Sequence, residues 1–199
     1  MVDYQRFMEL PLADTKPSLA LSMNKSITVR NVKFQYPGSK TLVLKGLSLE
    51  IKRGQHVAIV GENGAGKTTL VKLLTGLYQP TSGEILIDGQ DINEVDATAW
   101  HQQLAVLSQS FIRYDFATAY ENVWYGDVSR ELDRDRLAAA LKQAEAEDFV
   151  KKLPKGGDSY VDKWMTDDSD DKGVDLSGGQ WQRLALARNF YRDAPIVIL

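Results

Sequence analysis

The stretch that decides the fold reads Gly61-Glu62-Asn63-Gly64-Ala65-Gly66-Lys67-Thr68. Its glycines allow the backbone to curl so that successive amide groups point at one anion, helped by the positive end of a following helix. A short apolar run precedes the stretch and a helical pattern follows it, which is the context that a phosphate-binding loop requires. The stretch therefore predicts a P-loop that binds the phosphates of a purine nucleotide.

The side chains at the end of this loop suit a nucleotide and its metal ion. Lys67 is expected to reach the terminal phosphates, where it also serves catalysis, and Thr68 to place its hydroxyl on Mg2+. Thr69 offers a further hydroxyl and amide beside them. A glycine-rich tight turn without a ligand is the alternative, but such a turn would need neither the lysine nor the threonine pair. The eight loop residues and Thr69 are therefore the candidate binding residues.

The hydrophobic pattern around the loop predicts alternating strands and helices. Strand patterns cover 27–34, 47–51, 57–60, 84–87 and 104–108, and a last one begins at Ile196. Leu70, Leu73, Leu74 and Leu77 recur at helical spacing after the loop, and Gly76 and the turn at Pro80 end this pattern. Further helical patterns cover 137–144, behind Asp133, and, more weakly, 118–125. This alternation predicts an α/β fold with a parallel sheet. We expect a lead-in at 1–25 and one folded domain at 26–199, with a helical subdomain at about 110–180.

Composition narrows the class of protein further. Of the 199 residues, 43% are hydrophobic and 26% are charged, as in ordinary globular domains. The net charge of -3, with no basic stripe, argues against nucleic acid as a partner. The absence of cysteine excludes a disulfide framework and a thiolate metal site. Because the apolar runs are far shorter than the roughly 20 residues that cross a bilayer, we expect no membrane span.

A second motif, Leu176-Ser177-Gly178-Gly179-Gln180, precedes another helical pattern. Downstream of a P-loop, this pentapeptide resembles the signature of the ATP-binding cassette (ABC) family. Ser177 and the glycine amides at a helix N terminus would form a second anion site. The resemblance implies that two cassettes pair head to tail, so that each ATP lies between one P-loop and the partner's signature loop. It also implies a P-loop NTPase-type core in which an antiparallel β subdomain accompanies the parallel sheet.

Two further positions fit the pattern of the same family. Tyr36, in Phe34-Gln35-Tyr36-Pro37-Gly38, resembles the aromatic residue that stacks on adenine. Gln109 resembles the Q-loop glutamine, which approaches Mg2+ and the attacking water and moves with the transport partner. A tyrosine of the core and a plain surface glutamine are the respective alternatives.

Two segments favour the exporter branch of the family. Residues 116–123 resemble the stretch on which the coupling helices of a membrane domain dock, and residues 4–11 resemble the link from that domain to the cassette. The resemblance implies a transmembrane domain, fused or separate, and a position at the cytoplasmic face of a membrane. An importer subunit, a non-transport ABC ATPase and a nucleotide-binding module without catalytic output remain the alternatives.

The last residues resemble the strand that, in the family, leads to two catalytic carboxylates. This strand, 194–199, is followed in the family by an aspartate for Mg2+, a glutamate general base and a switch histidine. The resemblance therefore covers about 27–199. We expect this chain to bind ATP and to hydrolyse it poorly or not at all.

Overall fold

A computed structural model describes residues 23–165 and 172–199. The predicted link at 4–11 lies outside the described residues. So does the acidic run Asp167–Asp171, whose composition predicts a solvated loop. The chain divides into two compact units, Met1–Gln103 and Leu104–Leu199. The P-loop and Tyr36 belong to the first unit, whereas Gln109 and the signature motif belong to the second.

The first unit contains a four-stranded antiparallel sheet. Its strands are β1 (Ser26–Phe34), β2 (Leu44–Lys52), β3 (Ser82–Ile87) and β4 (Gln90–Asp91), in the order β2-β1-β3-β4. Alternate side chains of β1 are buried because successive residues of a strand point to opposite faces of the sheet. Val29, for example, pairs with Leu49 on one side and with Ile85 on the other. This sheet is the antiparallel β subdomain that the family resemblance implies.

Helix α1 (Lys67–Leu74) follows the P-loop directly. Leu70, Leu73 and Leu74 are buried, as their helical spacing predicts. The helix ends because Gly76 adopts a left-handed conformation with φ of 73°. Leu77, which was also predicted at helical spacing, therefore lies beyond the helix end and is 64% exposed.

Helix α2 (Ala97–Gln102) packs its aromatic side chains against the end of α1. Asp96 caps α2 by accepting a hydrogen bond from the Ala99 amide. The indole N–H of Trp100 donates to the Leu74 carbonyl at 3.0 Å, and Nε2 of His101 lies 2.9 Å from the Thr75 carbonyl oxygen. These contacts satisfy carbonyls that the last turn of a helix leaves without partners.

The predicted buried strand at 57–60 is wrong. Val57, Ile59 and Val60 are 46%, 43% and 91% exposed, and the segment has no regular secondary structure. A parallel strand needs neighbours that satisfy its backbone groups and cover its side chains. No strand within the described ranges pairs with this segment. An apolar run identifies a strand candidate, but pairing decides whether the strand forms.

In its described part, the second unit combines a parallel pair of strands with four α-helices and a short 3-10 helix at Gly156–Asp158. Strands β5 (Leu104–Val106) and β6 (Ile196–Ile198) pair in parallel, with Leu104 opposite Ile196. Strand β5 is shorter than the predicted 104–108, although the Leu107 amide still donates to the Ile198 carbonyl at 2.8 Å. The α-helices of this unit are α3 (Ala119–Trp124), α4 (Arg134–Gln143), α5 (Glu147–Lys151) and α6 (Gly178–Arg192).

Local capping signals explain where these helices begin. Thr118 and Glu121 form a reciprocal capping box at the start of α3, and the Asp133 carboxylate accepts two backbone N–H bonds at the start of α4. The helices bury one shared core, which includes Val123, Leu137 and Leu184. None of the helices in the described part of the chain has the length and apolar character needed to cross a membrane. The predicted α/β fold with parallel and antiparallel strands and a helical section is confirmed.

Candidate nucleotide-binding site

The P-loop connects the exposed segment before Gly61 to helix α1. Within the loop, the Ala65 amide donates to the Glu62 carbonyl at 3.2 Å, which closes a tight turn. Gly64 and Gly66 have φ values of 84° and 91°, a region that side-chain-bearing residues rarely adopt. A Cβ on Gly66 would also lie 2.8 Å from Cδ2 of Leu44. Glycine at position 66 is therefore required by both the backbone and its neighbours.

Lys67 closes the loop from its helical end. Its Nζ donates to the Gly61 carbonyl at 2.6 Å and to the Glu62 carbonyl at 2.8 Å. The ammonium group is therefore held across the curl of the loop. A positive charge, free amides and the positive end of a helix together favour an anion at this place.

Helix α1 begins without a side-chain cap from any described residue. Its N-cap residue is Gly66, whose missing side chain cannot accept from the first-turn amides. Thr68, in that first turn, is exposed, whereas Thr69 is 5% exposed and points into the protein. The hydroxyl of Thr68 is therefore accessible to a ligand, while that of Thr69 serves an internal contact.

Tyr36 is the partner of that internal contact. Its phenol oxygen lies 3.0 Å from Oγ1 of Thr69. The ring is half-buried and packs edge-on against Phe34 and Tyr78, with centroid separations of 5.0 Å and 5.4 Å. The structure thus brings the predicted adenine-stacking residue and a predicted P-loop residue together. This contact joins Tyr36, two residues beyond β1, to the helix that follows the phosphate-binding loop.

In the second unit, Gln109 lies in an exposed turn three residues beyond β5. The segment that follows it is fixed to helices α3 and α6. The buried amide of Asn122 donates to the Tyr114 and Thr118 carbonyls at 2.8 Å and 3.1 Å. Gln109 therefore lies between Leu107, which is bonded to the Ile198 carbonyl of β6, and a segment that is fixed to helices α3 and α6.

Arg188 of α6 also binds the segment that follows Gln109. Its guanidinium donates to the Asn122 carbonyl at 2.8 Å, to Oδ1 of Asn122 at 3.1 Å and to the Ile112 carbonyl at 3.1 Å. It also lies 4.3 Å from the ring centroid of Tyr114. Burial lowers the pKa of Arg188 below its ordinary value, and the proximity of Tyr114 opposes that shift. Arg188 thus links the segment after Gln109 to the helix that begins at the signature motif.

The signature motif forms the N terminus of α6. Ser177 is the N-cap residue, and its hydroxyl accepts a hydrogen bond from the Gln180 amide at 3.3 Å. The Gln180 side chain returns the contact by accepting from the Ser177 amide at 2.8 Å, which completes a capping box. Leu176 is partly buried against the helical core, whereas Ser177 and both glycines are exposed. The side chain of Leu176 is therefore anchored in the helical core, while the backbone of residues 177–179 is exposed to solvent.

Several residues with a place in this geometry were not singled out from the sequence. The sequence pattern does not predict the contacts of Asn122, which lies within 116–123, or those of Arg188. Lys72 and Tyr78, which contact the ring of Tyr36, were also missed. The three-residue spacing between Thr69 and Lys72 places both on one face of a helix, so a sequence signal existed for Lys72.

Comparison with known proteins is consistent across sequence and structure. Residues 44–199 match the family model described as ABC transporter. The ATP-dependent lipid A-core flippase of Chromohalobacter salexigens is 36% identical over 189 residues, which are 95% of this chain and 31% of that protein. The subtilin transport ATP-binding protein SpaT of Bacillus subtilis is 39% identical over 175 residues, 87% of this chain and 27% of SpaT. The chain thus spans about a third or less of these relatives.

A solved structure of a bacterial Atm1-family ABC exporter with ATP bound is also similar. It superposes with a TM-score of 0.84 at 37% sequence identity, and the match covers 99% of this chain and 33% of the exporter chain. The α/β fold, the matched family range and the ATP-bound neighbour agree with one another. This chain belongs to the ABC transporter family and has the fold of that family's nucleotide-binding ATPase domain.

Proposed function

We propose that this chain is the ATP-binding domain that powers export by an ABC transporter. The observation that carries the proposal is the P-loop, in which Lys67 is held across a glycine-rich turn at the uncapped start of α1. The ATP bound to the similar exporter and the names of the two transport relatives support the same conclusion. In the proposed cycle, ATP brings two such domains together, and hydrolysis releases them.

The triphosphate is proposed to bind along Gly61–Thr68. The amides of Gly64, Gly66, Lys67 and Thr68 would donate to its oxygens, because the left-handed glycines direct N–H groups inward, while the Ala65 amide stays bonded to the Glu62 carbonyl. Lys67 would exchange its contacts with loop carbonyls for contacts with the β- and γ-phosphates. Its role in catalysis is to neutralise charge that develops on the γ-phosphate as the attacking water displaces ADP.

Mg2+ is the proposed metal partner of the nucleotide. The exposed hydroxyl of Thr68 and the amide oxygen of Gln109 are hard oxygen donors, which fit an ion that prefers oxygen ligands and retains phosphates and waters in its shell. When bound, the ion would neutralise phosphate charge. Gln109 is further proposed to orient the attacking water, and its exposed turn leaves it free to take up that position.

The adenine base is proposed to stack on Tyr36. A tyrosine presents a large aromatic face, and stacking of a nucleobase on such a face contributes about 1–3 kcal/mol. Tyr36 is only half-buried, which leaves part of the ring accessible. Its phenol contact with Thr69 ties the ring to the P-loop helix, so that base and phosphates would be held from one helix.

The signature motif is proposed to bind the γ-phosphate of a partner domain's ATP. Ser177, Gly178 and Gly179 are exposed at the start of a 15-residue helix whose positive end favours an anion. The partner is a second nucleotide-binding domain, arranged head to tail. Each ATP would then contact both domains, so nucleotide binding and pairing would be coupled.

A transmembrane domain is the second proposed partner. Ile112 and Phe116, in the segment after Gln109, are 63% and 56% exposed, and they flank the network that Arg188 and Asn122 build. An exposed apolar pair on a rigid support suits the docking of a coupling helix. This arrangement would place the chain at the cytoplasmic face of a membrane.

The nucleotide part of the proposal is tested by calorimetric titration of the chain with Mg-ATP, accompanied by a phosphate-release assay. We expect saturable binding at one site per chain. A folded chain that gives no saturable heat with Mg-ATP would contradict the proposed function.

The export part is tested on the protein as its own cells make it. Antibodies against the chain should detect it in the membrane fraction. Retention after an alkaline carbonate wash supports a fused membrane domain, as in exporters, whereas release by the wash supports the importer-subunit alternative. Recovery in the soluble fraction alone would contradict a transport role.

A further inference from the structure

We propose that Lys72 and Tyr78 are positioning residues for the nucleotide base, because they hold the ring of Tyr36 in the orientation in which it stacks. This inference rests on the proposed function, in which Tyr36 receives adenine. It adds two residues that do not belong to the P-loop, the signature motif or the Q-loop. Both act through Tyr36.

Three aromatic rings form a closed cluster at the end of β1. The ring centroids of Phe34 and Tyr36 are 5.0 Å apart, those of Phe34 and Tyr78 are 5.6 Å apart, and those of Tyr36 and Tyr78 are 5.4 Å apart. All three pairs meet edge to face, with interplanar angles of 81°, 69° and 88°. This geometry is favourable for aromatic pairs and defines each ring plane relative to the other two.

The cluster has a buried base and an accessible rim. Phe34 is 2% exposed, whereas Tyr36 and Tyr78 are half-buried. Phe34 therefore anchors the cluster in the sheet, and the two tyrosines present part of their surface to solvent. A ring that served only the core would be expected to be as buried as Phe34.

Lys72 extends from α1 to both tyrosines. Its Nζ lies over the Tyr36 ring at 5.3 Å from the centroid and over the Tyr78 ring at 5.8 Å. Both distances are within the range in which a ring face attracts a cation. One ammonium group therefore binds the two ring faces together and occupies one face of Tyr36.

The ring of Tyr36 is consequently attached to α1 at two points. Its phenol oxygen contacts Oγ1 of Thr69, and its face contacts Nζ of Lys72, one helical turn further on. Two attachment points restrict the tilt of the ring as well as its position. The base would then stack on the face opposite Lys72, against a ring whose orientation is set by the helix that binds the phosphates.

The test compares a ligand that has a base with one that does not. Mg-ATP and Mg-tripolyphosphate are titrated calorimetrically into the wild type, Lys72→Met, Lys72→Arg and Tyr78→Leu. Since an exposed cation–aromatic contact contributes about 0.5–1 kcal/mol, Lys72→Met should weaken ATP binding about two- to fivefold. Tyr78→Leu should weaken it similarly, and Lys72→Arg should retain wild-type affinity because it keeps the cation. Tripolyphosphate affinity should not change in any variant.

A double substitution separates positioning from direct contact. If Lys72 acts through Tyr36, then Tyr36→Leu combined with Lys72→Met should bind ATP no more weakly than Tyr36→Leu alone. Lys52→Met, on an exposed lysine of β2, controls for the loss of one positive charge. Far-ultraviolet circular dichroism verifies that each variant is folded.

Several outcomes would overturn the inference. Unchanged or tighter ATP binding by Lys72→Met would mean that the lysine does not support the stacking face. An equal loss for ATP and tripolyphosphate would show that Lys72 acts as a charge near the phosphates. Additive losses in the double variant would show that it acts independently of Tyr36.

Failure of the proposed function would give a different pattern of binding results. If the wild type does not bind Mg-ATP, or if Tyr36→Leu binds it like the wild type, then the role of Tyr36 fails and this inference fails with it. If the wild type binds and Tyr36→Leu is weakened while Lys72→Met is not, only the role of Lys72 is overturned.

Discussion

The P-loop and the signature motif are both glycine-rich starts of helices, yet the structure builds them differently. Helix α1 begins after Gly66, which has φ of 91° and offers no side-chain cap. Helix α6 begins after Ser177, whose hydroxyl and the Gln180 side chain form a complete capping box. The P-loop therefore presents free amides to a ligand, whereas the signature motif is already stable as a helix start.

The glycines differ in the same way. A Cβ on Gly66 would meet Leu44, and its backbone conformation disfavours any side chain. At Gly178 and Gly179 the backbone is helical, and apart from the adjoining residues and the helix's own backbone no described atom lies within 4 Å of an added Cβ. The fold thus requires glycine in the P-loop but not in the signature motif. Glycine at 178 and 179 suits a site that another molecule must approach closely, which supports the proposed contact with a partner's ATP.

The largest expected effect is on the P-loop. Lys67→Ala removes an ammonium group that would make charge-assisted bonds to two phosphates, so ATP affinity should fall roughly 100-fold or more. Calorimetric titration with Mg-ATP measures it, and Lys52→Ala, on the exposed face of β2, is the matched control. Tight ATP binding by Lys67→Ala would disprove the assignment of the loop.

Substitution by alanine should have different effects on the glycines of the P-loop and of the signature motif. Gly66→Ala forces a left-handed alanine against Leu44, so unfolding by urea should show a loss of about 1–3 kcal/mol. Gly178→Ala should leave stability unchanged or raise it by up to about 1 kcal/mol, because alanine favours the helix. ATP-dependent pairing of chains, measured by light scattering, should nevertheless be lost in Gly178→Ala.

If Gly178→Ala lowered stability as much as Gly66→Ala does, the contrast between the two loops would be wrong. If the substitution kept both stability and pairing, the proposed phosphate contact of the signature motif would be wrong.

The cap of α6 allows stability and phosphate binding to be tested independently. Ser177→Ala removes the hydroxyl that accepts from the Gln180 amide, so stability should fall by about 1 kcal/mol. Ser177→Asp keeps an N-cap acceptor and should restore stability, while its negative charge should repel a partner's phosphate. Urea unfolding and ATP-dependent pairing give the two readouts. Pairing by Ser177→Asp at wild-type strength would contradict the anion site.

The smallest expected effect is a pH dependence in the unit that carries the P-loop. Partial burial raises the pKa of Asp88, but hydrogen bonds from the Asn24, Lys25 and Ser26 amides and the nearby Lys25 charge lower it more, so the net pKa lies below the ordinary 3.8. The stabilisation is therefore present above about pH 4 and is lost as the pH falls through the folded pKa.

The matching variant is Asp88→Asn. Above pH 5 it should be less stable than the wild type by about 0.5 kcal/mol or less, since solvent screens the exposed carboxylate. The difference should shrink below pH 4. Urea unfolding across this pH range measures it, and a difference that grew on acidification would contradict the sign.

Local signals in the sequence predicted most helix and strand positions. Asp133 and Gly76 marked the start of one helix and the end of another, because caps and left-handed glycines act within a few residues. The predicted strand at 57–60 is wrong because apolar side chains do not reveal whether a neighbouring strand is available for backbone pairing. Leu77 fits the helical spacing, but it follows Gly76, lies beyond the helix end and is exposed.

In the candidate site, too, local features were predictable from the sequence and contacts between elements were not. The residue types and order of the P-loop and signature motif pointed to anion binding from the sequence alone. The contact of Tyr36 with Thr69, the position of Lys72 over two rings and the network of Arg188 with Asn122 were not predicted. Each joins residues from separate elements, and such contacts depend on how the elements pack.

Hydrogen exchange with and without Mg-ATP, at low and at high chain concentration, tests the contrast between the two loops most directly. At low concentration, ATP should protect the amides of residues 63–69 and leave residues 177–181 unchanged. At concentrations where two chains pair, residues 177–181 should become protected as well. Protection at 177–181 in a single chain, or no protection at 63–69 at either concentration, would contradict an ATP site built from one chain's P-loop and its partner's signature motif.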